Sequence, residues 1–438
     1  MLIFDDCQRD YVRIEKRQEH LQAQDRAANG NGLGISTSIN TNGSKEIDHQ
    51  PKARSSINGH APDSRAAHQT DSMYFWQQYP TDSFYNRLDW VLDCFTTFRG
   101  TSWNWRISGL APPPPEVESS LSNKSNADLS KPNRPPIVPT FHNRTPLLRH
   151  NTYLIIRNVL FLDILKTLIS RDPYFWGIVD TNQPPPYLPN ILHSSAVAIQ
   201  CARLLIALGA MKFALELIFT LGPLFFVGIL GPSVISVRGE AWDHPDQFGS
   251  ISFVYKKGLA GWWGGFWHQT FRKGFEAPGQ KVVELLGLKQ KSAGGRVVQL
   301  FVAFGLSGLL HACGSTTQIG ETRPFGGPFL FFVSQAVGIT LEMGLKMGAK
   351  RMGWDKHVPT WLGGVGNFVF AHWWLYLTAP LMVEDFAKGG VWLFEPLPVS
   401  IFRGPLQLGD KEDGFWRWTG TLIRWHNGET WWKTGIAL

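Results

Sequence analysis

Two histidines stand where chemistry is easiest to build in this sequence. His268 lies in Trp262-Trp263-Gly264-Gly265-Phe266-Trp267-His268-Gln269-Thr270-Phe271-Arg272, and His311 ends the apolar run Leu306-Ser307-Gly308-Leu309-Leu310-His311. Burial keeps an imidazole neutral, which a general base at neutral pH requires. Ser307 falls one turn before His311 on the same helical face, where it can orient the ring, and Gly305 and Gly308 leave room beside it. Taken alone, however, a histidine on an apolar helix is more often a satisfied core residue than a catalyst. For the first segment, Trp263 and Trp267 are four apart and share a helical face, with His268 and Arg272 on another. An interfacial amphipathic helix without chemistry is the alternative reading there.

Other catalytic signatures are missing from the sequence. It has no Gly-x-Ser-x-Gly elbow, no His-Glu-x-x-His pair and no phosphate loop. Cys313 is two positions from His311, so on a helix the two side chains diverge and a thiol–imidazole pair is not formed. The four cysteines are widely spaced and form no Cys-x-x-Cys pair, which argues against a disulfide scaffold and a structural zinc site. Two histidines without a carboxylate cluster imply no metal. What remains is a buried base, a second polar group and basic residues nearby. That set suits acyl transfer from a thioester to a hydroxyl, which needs a base for the alcohol proton and a donor for the developing oxyanion.

The elements that must carry these groups are apolar and aromatic. The 438 residues include 19 Trp and 29 Phe against 9 Tyr, and Trp favours the membrane–water boundary. Mean hydropathy is only −0.12, because the polar first third offsets apolar runs that lie after Leu154. A net charge of +7 fits an anionic leaflet or an anionic cofactor and is too diffuse for nucleic acid. Met1-Leu2-Ile3-Phe4 meets Asp5-Asp6 at once, so no signal peptide is expected. Residues 1–72 read as a disordered polar region, with Arg9–Arg26 as a solvated charge run. Residues 84–95 repeat apolar positions at helical spacing ahead of Trp103 and Trp105, and the stretch from about 112 to 145 reads as a linker. Tyr153–Ile169 is apolar but dotted with Arg157, Asn158, Asp163 and Lys166, as in a helix at the interface or with a polar face inside a bundle. Ser194–Leu230 is one long helix followed by a short re-entrant piece, or two imperfect spans, with a break expected at Gly222-Pro223, and Lys212 and Glu216 are spaced to pair. Val297–Ala312, Pro328–Leu345 and Trp361–Val383 are of spanning or near-spanning length. Gln335, Glu342, Asn367 and His372 within them are costly in lipid and are expected to be functional or paired. Five tryptophans between Trp416 and Trp432 form a second aromatic band. The expected fold is therefore all-α. It is a polytopic transmembrane helical bundle with amphipathic interfacial helices, divided into a disordered 1–72, a membrane-embedded 73–405 and a Trp-rich interfacial tail 406–438.

At these residues the chain resembles the membrane-bound O-acyltransferases, in their fungal wax-synthase-like branch. The resemblance rests on the Trp-His-Gln box at 262–272 together with Ser307-Gly308-Leu309-Leu310-His311. Arg99–Trp105, Asp172–Trp176, Trp242–Gly249 and the helix through Trp373-Trp374 agree with it. The resemblance implies a multi-pass endoplasmic-reticulum enzyme with no bound cofactor, which uses acyl-CoA, and acetyl-CoA in particular, as co-substrate. Membrane lipid and a small-molecule alcohol are its further partners. It implies His311 as the catalytic histidine, with His268 positioning the substrates and Trp267, Gln269 and Ser307 lining the site. Arg272 and Lys273 are the residues expected at the cofactor phosphates. Acetyl transfer to a terpenoid or polyketide hydroxyl is the first reading. Wax-ester synthesis and a non-catalytic lipid- or terpenoid-binding protein are the alternatives. Two departures stand out. The first ten residues resemble a loop that comes after a membrane helix, so the first helices are expected to be missing. Gly265 stands where a basic residue is common, so contact with the anionic cofactor is expected to be weaker.

Overall fold

The computed structural model describes residues 11–16, 74–121, 136–181, 183–409, 413–418 and 423–437. The described residues begin with a two-stranded antiparallel sheet, β1 (Arg13–Lys16) with β2 (Tyr74–Gln77). It then runs through α1 (Phe84–Thr96), α2 (Arg144–Ile169), and α3 (Ala196–Pro223), which continues as a π-helical stretch to Leu230. After short turns come α4 (Arg272–Leu285), α5 (Ala293–Thr316), α6 (Leu330–Arg351) and α7 (Thr360–Gly389). A second two-stranded antiparallel sheet, β3 (Arg424–His426) with β4 (Gly435–Ala437), closes the described residues. The described residues are mostly helical, with these two small sheets as the departure from an all-α fold.

Helix starts follow side-chain caps that the sequence supplies. The Oγ atoms of Ser83, Ser195 and Ser292 accept from the backbone N–H three residues on, at the heads of α1, α3 and α5. α7 stops at Gly390 in the left-handed region. Among the described residues, three helical runs are long and apolar enough to cross a membrane: Ala196–Leu230, Ala293–Thr316 and Phe325–Arg351. α7 has the length, but Asn367, His372 and its tryptophans hold its hydropathy below that of the other three. Pro223 does not break α3. The helix passes through it and loosens into π-turns, so residues 196–230 are one element.

Many ionisable and amide groups in these helices are paired, with one another or with backbone, as the cost of burying them demands. On α3, Lys212 donates to Glu216 at 3.0 Å, and Arg157 of α2 joins the same carboxylate. Arg203 of α3 grips Asp172 through two bonds of 2.8 and 2.9 Å, while Tyr187 donates to Asp172 at 2.9 Å. Asp163 of α2 accepts from the backbone N–H of Ile401 at 2.6 Å and from Ser400, which ties the segment after α7 to the bundle. Gln335 of α6 donates to Thr378 of α7 at 3.0 Å, and Ser315 of α5 donates to Asp385 of α7 at 2.6 Å.

Several expectations change here. Residues 11–16 are not part of a disordered region or a solvated charge run: Val12 and Ile14 are buried, and Arg13 is buried between Asp89 and Asp93 of α1 at 2.7 and 3.0 Å. A four-residue strand whose partner lies sixty residues away leaves no local periodicity to read. The remainder of 1–72, with the apparent loop at its start, lies outside the described residues. The linker is also partly structured. Pro115–Ser120 is a short helix that buries Val117, and Ile137 donates from its backbone to Gly109 at 2.7 Å. Trp103, by contrast, does what was expected of it: it is 1 % exposed and packs against Trp90. In the tail, Trp416, Trp425, Trp431 and Trp432 are exposed.

Gly258 is sensitive to change on two counts, conformation and space. Its φ of +69° is a left-handed conformation, and a Cβ there would lie 1.6 Å from Glu342 Oε1. Gly258→Ala is expected to cost about 2–4 kcal/mol of stability. Gly274, which has open space around it, should tolerate the same change. The thermal midpoint of each variant in detergent measures the difference.

Candidate active site

The Trp-His-Gln box is built on a π-turn, not on an amphipathic α-helix. Residues Ser252–Lys257 form a short helix that stops at Gly258, and a new turn, Leu259–Gly261, starts there. Its start is capped by Glu342 of α6, whose Oε2 accepts from Leu259 N at 3.0 Å. Residues Trp262–Phe266 then form the π-turn, closed by Trp267 N donating to Trp262 O at 2.8 Å. Trp267 itself is extended, so the chain leaves the helix just before His268. Gly265 makes this path possible. It is buried against Phe253, and a Cβ on it would sit 2.6 Å from Phe253 Cγ. A basic side chain has no room there, so Gly265 serves packing and its loss of a cofactor contact is not the relevant comparison.

Gln269 fixes the turn. Its amide nitrogen donates to the carbonyls of Trp263 at 2.8 Å and Trp267 at 2.7 Å, while its oxygen accepts from Arg272 at 3.2 Å. Every polar atom of the side chain is thus used by the box, which makes Gln269 a positioning residue. Trp263 anchors the box to the bundle. Its indole N–H reaches Gln335 of α6 at 3.4 Å, and its rings meet Phe304, Phe331 and Phe332 edge-on or tilted.

His268 is held among Phe219, Phe248, Trp267 and Phe271, with ring centroids 5.6–6.2 Å away, and its Nδ1 is buried without a hydrogen-bond partner among the described residues. Burial, reinforced by the nearby His311 and Arg99, pushes its pKa down from 6.5 to about 4, so the ring is neutral at physiological pH. A neutral imidazole carries one N–H donor and one acceptor nitrogen.

His311 sits two turns into the second half of α5. Its Nδ1 lies 2.8 Å from the carbonyl of Ser307. A carbonyl only accepts, so this nitrogen carries the proton and Nε2 keeps its lone pair. Ser307 therefore orients the ring through its backbone, not through its hydroxyl. Phe332 of α6 covers the ring, with centroids 4.3 Å apart.

Both histidines line one cavity of about 790 Å³. Trp267, Gln269, Ser307 and Arg272 line it too; the rest of the wall is mostly aliphatic and aromatic. Lys273 is not in the wall: its ammonium stands 5.9 Å from the centre of the Trp105 ring. Arg272 is tied to Glu276 at 2.6 Å, and that carboxylate shares the wall. A phosphate placed there would meet a negative charge beside the positive one, which weakens the expectation for Arg272. Sequence reasoning overlooked three contributors. Phe332 and Phe219 carry no polar signal and are found only through their rings. Lys166 of α2 was visible as a charge in an apolar run. It lines the cavity and donates to Trp392 O at 2.5 Å, its pKa lowered to about 8 by burial.

Comparison with known proteins places this geometry. Residues 244–334, which contain both histidines, match the model of the Membrane bound O-acyl transferase family. Acetyltransferase aurG of Calcarisporium arbuscula is 25% identical over 305 residues, covering 69% of this chain and 66% of that protein. O-Mevalon transferase yanI of Aspergillus niger is 26% identical over 304 residues, covering 66% of this chain and 60% of that protein. Acetyltransferase ple2 of Rhodocybe pseudopiperita is 30% identical over 176 residues, covering 39% and 45% respectively. The chain thus spans less than two thirds of the length of these relatives. No solved structure matches it at a significant level. The resemblance to the membrane-bound O-acyltransferases, and to fungal proteins named as acetyltransferases and O-mevalon transferases, is shown by these matches.

The low pKa of His268 fixes a pH dependence. An unfolded histidine takes its proton near 6.5 and the folded one near 4, so on acidification the unfolded chain binds the proton first. Stability contributed at neutral pH is therefore lost as pH falls from about 6.5 to about 4, by an amount on the order of 3 kcal/mol. Thermal midpoints across that range should fall less steeply for His268→Asn than for the unaltered chain. Parallel curves would show that His268 is not buried as a neutral ring.

Proposed function

We propose that this relative of the membrane-bound O-acyltransferases moves an acyl group, acetyl, from acyl-CoA to a hydroxyl of a terpenoid or polyketide metabolite. One observation carries the reading: His311, with Nε2 left as an acceptor, and the neutral His268 line the same apolar cavity between apolar helices. In the proposed step, His311 Nε2 takes the proton of the acceptor hydroxyl. The oxygen attacks the thioester carbonyl carbon, and the oxyanion of the tetrahedral intermediate is held by the ring N–H of His268. Collapse breaks the C–S bond. The thiolate takes the proton back from His311, and ester and free CoA leave. The apolar wall excludes water, which would otherwise hydrolyse the thioester.

Support for acetyl as the acyl group comes from the names of the relatives, two of which are called acetyltransferases and one an O-mevalon transferase. A multi-pass arrangement in the endoplasmic-reticulum membrane is part of the proposal, supported by the three apolar helices. Wax-ester synthesis on a long-chain alcohol is the second reading, favoured by the cavity's aliphatic and aromatic walls.

Microsomes carrying the protein, given labelled acetyl-CoA or palmitoyl-CoA with a panel of alcohols, test both. Acetyl transfer should fall about a hundredfold or more in His311→Ala. Transfer that survives this change removes His311 from the mechanism, and a preference for palmitoyl-CoA favours the wax-ester reading. Ligand binding without transfer from either donor favours the non-catalytic binder.

A further inference from the structure

A second cavity, of about 440 Å³, lies directly behind the first. Phe219 and Phe271 line both, and both rings pack on His268, so the wall between the two spaces is aromatic and ends at that histidine. The second space is of a different character. Asn151, Asp243, Asp246, Gln247, Thr220 and Thr270 contribute to its wall. Asn151 is only 3 % exposed, yet its amide Nδ2 has no hydrogen-bond partner among the described residues, and neither has Asp243 Oδ1. Buried polar atoms are left unpartnered rarely, because each costs the full desolvation of the group.

The charges around this cavity say what it does not take. Arg99 spends its guanidinium on the carbonyls of Pro245 and Asp246 at 2.6 and 2.7 Å, and Arg238 is paired with Asp89 at 2.8 Å. Asp246 is bonded to His150 at 3.0 Å, Glu216 to Lys212 and Arg157, and Asp93 to Arg13. Among the described residues no arginine of this wall offers a free fork to a phosphate, and the carboxylates outnumber the cations. Asp243 is held up to about 7 by burial, then by Asp93, so near neutral pH it is part carboxylic acid and can donate as well as accept.

We infer that this cavity seats the uncharged, oxygen-bearing end of the acceptor, its hydroxyl and carbonyl groups meeting Asn151 and Asp243, while the apolar body lies in the larger cavity. The inference rests on the acyltransferase reading for the direction of chemistry. It adds that the acceptor is amphipathic, and that Asn151 determines specificity across the Phe219–Phe271 wall. The reactive hydroxyl would then cross beside His268, within reach of both histidines.

The experiment compares the protein in microsomes with Asn151→Leu and, as a second variant that leaves the helix of Asn151 intact, Asp243→Leu. Binding of tritiated 1,2-decanediol and of tritiated 1-decanol is measured directly, alongside transfer from acetyl-CoA. The unaltered protein should prefer the diol, and each variant should lose that preference about tenfold, the effect of one buried hydrogen bond. The KM for acetyl-CoA should stay unchanged. An unchanged diol preference in both variants overturns the inference, and so does a raised KM for acetyl-CoA, which would make the cavity part of the donor site. Diol binding that responds to Asn151→Leu in a protein that transfers nothing supports the cavity assignment and defeats the acyltransferase reading alone.

Discussion

The contact between Glu342 and the backbone at Leu259 governs the geometry of the site. A carboxylate on an apolar helix is costly unless it is paired, and here one oxygen accepts from Leu259 N while the other takes the ammonium of Lys346 at 2.9 Å. The acceptor end of that arrangement starts the short turn on which the Trp-His-Gln box is wound. Gly258 is glycine because the carboxylate occupies the space of its side chain. From this cap the order is fixed: turn, π-turn, extended Trp267, then His268. Gln335, about two turns earlier on α6, holds Trp263 in the same frame. Two polar residues of one apolar helix thus place a loop that contains no long secondary structure of its own.

The two histidines come from different mechanical settings. His311 rides on a long helix and is oriented by a backbone carbonyl one turn earlier, so its direction is as rigid as α5. His268 lies just outside a turn whose carbonyls are clamped by Gln269, and aromatic rings confine it. The pairing of a helix-borne base with a loop-borne donor lets the donor's surroundings vary while the base stays fixed. It also puts His268, not His311, at the aromatic wall between an apolar and a polar space.

Much of this is legible in the sequence, and the failures have physical reasons. His268 and His311 can be singled out because ionisable groups in Trp-rich or apolar runs are conspicuous, and the need of Gln335 and Glu342 for partners can be read from the apolar helix that carries them. The helical spans can be read from length and hydropathy. The geometry of the box cannot: Gly264-Gly265 permits a π-turn, but only the close approach of Phe253 and Gly249 requires it. The burial of Arg13 is hidden for a similar reason, since its acidic partners lie on a helix far along the chain. Gln269 has the residue type of a substrate contact and spends its bonds on the backbone. Spacing cannot distinguish those two uses.

A π-turn is an α-turn that contains one residue more than it needs. Trp262–Phe266 therefore stores a residue, and the direction in which His268 leaves depends on it. Removing any single residue there would let the turn relax to ordinary α-geometry and swing the chain beyond it by roughly 100° about the helix axis. The length of this box is thus under as tight a constraint as its composition. Insertions and deletions between Gly258 and Gln269 should be tolerated less than substitutions at most of its positions.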